Sequence, residues 1–311
     1  MGGLIDVVFS TDFVFTTIRV MTPVLFAALA CMVYGKGGID AIATEGIMLI
    51  SALAGVLGSY FFHSALGGVL SAIFVGIMIS MLFGYITLSL KSEPILAGIA
   101  INTFAGGITI FVIYLLTGSK GSTQSLNNEV VPNIDLPFIK DIPIIGEIFS
   151  GHNVLTYLSM ILVILLAIFI YKTPTGLRIR TVGENEEAAR SVGLSVRKYK
   201  YITLTIAGTM AGLGGAFMSL AYVSFFSRDM IAGRGFIGMA AESMGRGTPV
   251  GVLVSSILFG MADSLAIRLQ LLNVPPQLIQ LLPYLITIIA IAVYSYLEMN
   301  KKRINKEKEK N

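Results

Sequence analysis

The chain has 311 residues, of which 55% are hydrophobic and only 13% charged, at a net charge of +4; an ordinary soluble domain carries about 25% charged residues. This balance excludes a soluble enzyme, and because the basic residues gather beside apolar runs it also excludes nucleic acid as the partner the charge serves. It predicts an all-α, polytopic transmembrane helical bundle, since runs of about 20 apolar residues cross a bilayer as helices that satisfy their own backbone.

The opening residues carry Asp6 and Asp12 without a basic start or a small-residue cleavage pattern. No removable secretory peptide is expected, and the first span is expected to serve as the insertion signal. Apolar runs predict spans near residues 16–34, 43–62, 65–88, 94–116 and 154–171. With Trp absent, Tyr34, Tyr60, Tyr171 and Tyr294 near span ends are expected to supply the aromatic belt. Cys31 is the sole cysteine, which excludes an intramolecular disulfide and a cysteine-based metal cluster. Small residues recur four apart at Ser51, Gly55 and Ser59, at Gly76, Ser80 and Gly84, at Gly208 and Gly212, and at Ala211 and Gly215. They predict close helix packing and say nothing of cargo.

Two connecting segments set the topology. Residues 117–153 hold Lys120 and Lys140 against Glu129, Asp135, Asp141 and Glu147, two minus four or −2, and are expected outside. Pro132, Pro137 and Pro143 there argue for an ordered loop without a long helix. Residues 172–200 hold seven Lys or Arg against three Glu, net +4, and are expected in the cytoplasm. Within that loop lies a short polar helix signal: Gly183 and Glu184, then Asn185 as cap, Glu186 and Glu187 in the first turn, Arg190 near the end and Gly193 as stop. Ala188, Ala189 and Val192 would form a small, smooth apolar face suited to docking in a groove of another protein.

Further spans are predicted near 201–223, 249–268 and 276–297, followed by a basic tail over 301–311 that belongs in the cytoplasm. Bringing that tail inside requires a short or broken return crossing over 231–247. The expected count is about nine crossings, with eight to ten compatible, in one transmembrane domain over 1–300, N-terminus outside and C-terminus cytoplasmic.

Ionisable groups inside or at the edges of spans are costly and draw attention: Arg19, Glu45, Glu242, Asp263 and Arg268. Glu242 and Arg246, four apart, are expected to neutralise each other on one helical face, while Asp263 and Arg268, five apart, face different directions. Glu45, Asn102, Thr103 and Asp263 are the candidate polar residues of a translocation path; for Asn102 and Thr103, inside the fourth span, the competing reading is an interhelical hydrogen bond. No G-x-x-x-x-G-K-[ST] or H-E-x-x-H pattern occurs, His63 and His152 fall in expected external loops, and Ala241 to Gly245 lacks the first glycine of a nucleophile elbow. No catalytic residue, metal or cofactor is therefore expected.

Several segments together resemble the membrane-spanning subunits of bacterial ABC importers for simple sugars, nucleosides and branched-chain amino acids, and most closely the nucleoside and simple-sugar permeases. Thr22-Pro23-Val24-Leu25-Phe26-Ala27-Ala28-Leu29 with Glu45-Gly46-Ile47-Met48-Leu49 resembles the opening pair of spans. The family's Asn-Ile-Gly-Leu lead is replaced by Ala41-Ile42-Ala43-Thr44. Val182-Gly183-Glu184-Asn185 with Ala188, Ala189 and Gly193 is similar to the cytoplasmic coupling loop that sits in a cleft of the ATPase subunit. Ile206 through Ala216, Gly235 through Ala241, Gly245 through Gly251, and Phe259-Gly260 resemble the segments that follow. The resemblance implies a bacterial plasma-membrane protein whose partners are an ABC ATPase subunit, a second permease (a paralogue or a second copy), an extracellular substrate-binding lipoprotein and a small-molecule cargo. The alternative is an ion-coupled secondary transporter or facilitator in which Glu45 or Asp263 binds the coupling ion. A third reading is an accessory scaffold whose loop recruits something other than an ATPase.

Overall fold

A computed structural model describes residues 10–135, 137 and 145–269. Among them are eleven α-helices, two of which end in π-helical turns. α1 (Thr11–Lys36) is the axis of the bundle. Ser10 caps it, its hydroxyl accepting from the Phe13 amide at 3.2 Å, and every residue from 20 to 34 is buried. A helix apolar on all sides must be enclosed by others. Pro23 lies inside α1 and denies the Arg19 carbonyl its usual donor, yet the helix runs on, held by its neighbours.

α2 (Thr44–Phe62), α3 (Ala65–Gly84, continued by the π turn Tyr85–Ser89) and α4 (Pro94–Thr117) follow, then the one-turn α5 (Ile145–Phe149) and α6 (Val154–Lys172). α7 (Pro174–Glu184) and α8 (Glu186–Ser191) lead into α9 (Val196–Phe217, continued by the π turn Met218–Tyr222). α10 (Arg234–Met244) and α11 (Pro249–Leu269) complete the described part. Among the described residues seven helices are long and apolar enough to cross a membrane, and they coincide with the seven full spans expected up to residue 269. α10, with 11 residues, is about 16 Å long and cannot cross alone; it is the short element expected within 231–247. The span expected at 276–297, the tail 301–311, Tyr294, Lys140, Asp141 and Pro143 lie outside the described residues.

Burial ranks the helices. In α9 and α1, 78% and 72% of the most apolar window is buried, against 22% in α4, so α1 and α9 form the centre and α4 an edge. α1 packs on α9, α10 and α11, and α9 packs on α3 and α2. The small-residue stripes meet one another there. A Cβ on Gly76 of α3 would lie 2.6 Å from the Gly208 carbonyl of α9, one on Gly212 2.8 Å from the Ala72 carbonyl, and one on Gly215 2.8 Å from the Ala52 amide of α2. Only glycine allows these backbones to touch. Ser80 fixes the register, donating to the Leu204 carbonyl at 2.7 Å while its hydroxyl lies 2.6 Å from that of Tyr34. Tyr34 is thereby fully buried and is no part of an aromatic belt, contrary to its position near a span end.

Two further expectations change. Residues 172–200 are almost wholly helical instead of a loop: Thr173 caps α7 by accepting from the Gly176 amide at 3.1 Å, Pro174 starts it, and α9 begins at Val196. Arg246 lies in the turn after α10 at φ +54°, past the end of the helix whose face it was expected to share with Glu242, and Lys36 acts electrostatically on Glu242.

The described residues of the segment after α4 are bonded to the bundle and to one another. Thr123 and Phe226 exchange bonds, backbone amide to carbonyl at 2.9 Å and Phe226 amide to the Thr123 hydroxyl at 2.9 Å. Ser59 donates to the Glu129 carbonyl at 2.6 Å and Asn153 to that of Val131 at 2.7 Å. His152 stacks on Phe15 with ring centroids 4.1 Å apart and its Nε2 lies 2.9 Å from the Ile148 carbonyl. Burial holds its imidazole pKa below the ordinary value despite that hydrogen bond.

Candidate coupling segment and intramembrane polar centre

At the basic end of the bundle, Asn185 is the hinge between two helices. Its backbone ends α7 and its side chain accepts from the Ala188 amide at 3.0 Å, capping α8. Glu186 and Glu187 occupy the first turn, Arg190 the last, and Gly193 follows at φ +80°, the left-handed stop expected of it. Glu184 closes α7 and is exposed. The expected apolar face, however, is divided. Ala189 is fully buried in a small core with Ile179, Val182, Val196 and Tyr199, whereas Ala188 and Val192 are exposed, Val192 to 72%. Ala189 stands about 100° around the helix from Ala188, and Val192 is the C-cap that follows α8, so the face divides once the second core claims Ala189.

Three contacts of its backbone and polar side chains join this segment to the bundle. Gly183 lies on the turn after α1: a Cβ on it would sit 2.8 Å from the Gly38 amide, and one on Gly38 3.0 Å from the Gly183 Cα. Lys200 of α9, 8% exposed, is paired with Glu186. Arg178 of α7 donates to the Tyr199 hydroxyl at 2.9 Å. Neither Glu186 nor Lys200 stands out in the sequence as a pair, because 14 residues and a helix break separate them.

The second constellation lies among the crossing helices. Glu45, in the first turn of α2, accepts from the Gly233 amide at 2.8 Å with one carboxylate oxygen and from the Gly235 amide at 2.7 Å with the other. It caps α10, while Gly235 packs against its backbone, so two helix N-termini meet around one carboxylate. Asn102 of α4 completes the junction: its Oδ1 accepts from the Gly46 amide at 2.8 Å and its Nδ2 donates to the Ile42 carbonyl at 2.9 Å. Thr103 faces away on the exposed side of α4, bonded within its own helix to the Ile99 carbonyl at 2.9 Å. Among the four expected path residues, Asn102 and Thr103 are thus committed to helix hydrogen bonds.

Arg234, the first residue of α10, is the charge that sequence reasoning passed over. It acts electrostatically on both Glu45 and Asp263, its Nη1 donates to the Ile231 carbonyl at 3.0 Å, and its Nε is buried with no hydrogen-bond partner. Its guanidinium stands 5.9 Å from the Tyr222 ring, and Arg19 stands 5.1 Å from the same ring while donating to the Tyr222 carbonyl at 3.2 Å. The signal available was an arginine flanked by Gly233 and Gly235 where a broken crossing begins. Arg268 faces elsewhere, as expected, and pairs with Asp12 at the start of α1.

Residues 13–291 match the family model described as "Branched-chain amino acid transport system / permease component". The chain is 34% identical over 289 residues to the guanosine ABC transporter permease protein NupQ of Bacillus subtilis, covering 88% of this chain and 89% of that protein. It is 32% identical over 284 residues to the nucleoside ABC transporter permease protein NupC of Lactococcus lactis, again covering 88% and 89%. It is also 27% identical over 266 residues to a second guanosine ABC transporter permease protein of Bacillus subtilis, NupP, covering 83% of this chain and 73% of that protein.

Proposed function

The chain belongs to the family of branched-chain amino acid transport system permease components, and from that premise we propose that it carries a nucleoside through the bacterial plasma membrane as one half of a two-permease channel. It is a multi-pass permease subunit of an ATP-binding-cassette importer. The guanosine and nucleoside labels of its relatives support the cargo reading over a simple sugar. Likeness to both NupQ and NupP, two permeases of one organism with the same stated cargo, supports pairing with a related second permease over pairing with itself.

The observation that carries the mechanism is α8, capped, seated on the bundle through Ala189, and presenting Ala188 and Val192 outward. A subunit without a nucleotide-binding motif takes its energy from another. In this reading α8 docks in an ATPase subunit on the cytoplasmic side, an extracellular lipoprotein delivers the cargo, and closure of the ATPases on nucleotide moves the docked helices and turns the bundle between openings. The N-terminus is then outside and the C-terminus cytoplasmic. Of the four polar candidates we assign Asp263, opposite Arg234, to the path. The ion-coupled alternative is disfavoured at Glu45, where both carboxylate oxygens accept from backbone amides, and would have to rest on Asp263.

Affinity purification of the tagged chain from its native membrane in mild detergent, with mass spectrometry, tests the reading. The expected outcome is recovery of an ATPase subunit, a second permease and a lipoprotein that binds nucleosides. Recovery of the chain alone, where a known importer stays assembled, would refute it.

A further inference from the structure

The segment that α8 belongs to follows directly from α6 and is joined beyond it to the two most buried crossing helices, α1 and α9. Gly183 rests on the backbone that ends α1, with Gly38 at φ +65° facing it. Glu186 reaches Lys200 one turn into α9, and Gly37, next to Gly38, lies against Thr203, whose Cβ would be 2.9 Å from a Cβ there. The pair is asymmetric: the Lys200 side chain is 8% exposed and that of Glu186 43%. A buried ammonium with one carboxylate partner is held firmly, because moving the carboxylate away strands a charge out of water. Lys200 also borders a cavity of about 250 Å³ with Gly38, Asp40 and Lys91, so the turn after α1, the start of α4 and the start of α9 converge on it.

We propose that Glu186 and Lys200 are positioning residues that make α8 and α9 move as one body, so that displacement of the docked α8 reaches the bundle centre through this ion pair, with the Gly183–Gly38 contact as its counterpart on α1. The inference rests on the reading of α8 as the ATPase-docking helix. A surface contact alone would let α8 rock on Ala189, the one side chain it buries. The ion pair adds a second fixed point, and two points define a lever.

The test uses the complex isolated with its ATPase subunit, carrying spin labels on Ser191→Cys in α8 and Thr209→Cys in α9, and compares the nucleotide-free state with the state trapped by ATP and vanadate. In the otherwise natural sequence the distance between labels is expected to stay fixed. In Lys200→Met and in Glu186→Gln it is expected to shift by about 2 Å or more, the scale of helix movements at interfaces. The charge-reversed double variant E186K/K200E should restore the fixed distance, a rescue that a merely structural role would not show. ATPase co-purification should remain at the natural ratio in Lys200→Met, whose side chain is buried in α9 away from the docked face. A distance that stays fixed in both single variants overturns the inference, as does one that shifts in the natural sequence or a Lys200→Met variant that sheds the ATPase. If the natural sequence itself binds no ATPase, the docking reading falls and this inference falls with it.

Discussion

Asn102 shows why single polar residues inside spans resist functional reading. Its position in the fourth span was plain from the sequence, yet its amide is consumed at both ends by the start of α2, where a first-turn amide has no partner within the helix. Glu45 was equally visible, but its partners at Gly233 and Gly235 are nearly 190 residues away and no local spacing announces them. His152 carries a prediction at this scale. Its imidazole is kept neutral by burial against Phe15, so its folded pKa lies below the unfolded one. As pH falls through the ordinary value near 6.5 the unfolded chain takes up the proton first, and stability is lost in that direction. Thermal unfolding of the detergent-solubilised protein should therefore fall between pH 7.5 and 5.5, and His152→Phe should flatten that slope. An unchanged slope would show that other groups set it.

At the scale of elements, the crossing helices were legible because hydropathy and length report directly on what a bilayer accepts. The helices within 172–200 were legible only in part, since caps such as Asn185 and Gly193 are local signals, whereas the inward turn of Ala189 depends on Ile179, Val182, Val196 and Tyr199 meeting it from two other helices. The glycine stripes were readable as packing devices, but which stripe faces which was not. That pairing yields a contrast. Gly208→Ala places a Cβ 2.8 Å from the Gly76 carbonyl, so α3 and α9 must separate, at a cost of about 1–3 kcal/mol. Gly106→Ala in α4 meets nothing within 4 Å and should instead gain a few tenths to about 1 kcal/mol from helix propensity. Unfolding temperatures of the two variants should move in opposite directions; parallel shifts would contradict the packing described.

The molecule as a whole was legible in its class and in its charge asymmetry, basic over 172–200 and acidic over 117–153, while the bounds of the short element expected within 231–247 required coordinates to define. Sidedness is a prediction at this scale. Cys31 is buried, so the natural sequence supplies a silent background for labelling. A membrane-impermeant maleimide should modify Gly121→Cys in intact cells and reach Ser191→Cys only after permeabilisation. The reverse pattern would invert the topology.

The brevity of α8 has one more consequence. Six residues lie far below the length at which a helix persists alone in water, so its outward face exists only while Ala189, Gly183 and Glu186 are seated on a bundle whose first and ninth helices have already met. A nascent or damaged chain offers no such face. Under the docking proposed above, recognition by the energy-supplying subunit doubles as an inspection, admitting to the assembled machine only those copies whose centre is complete.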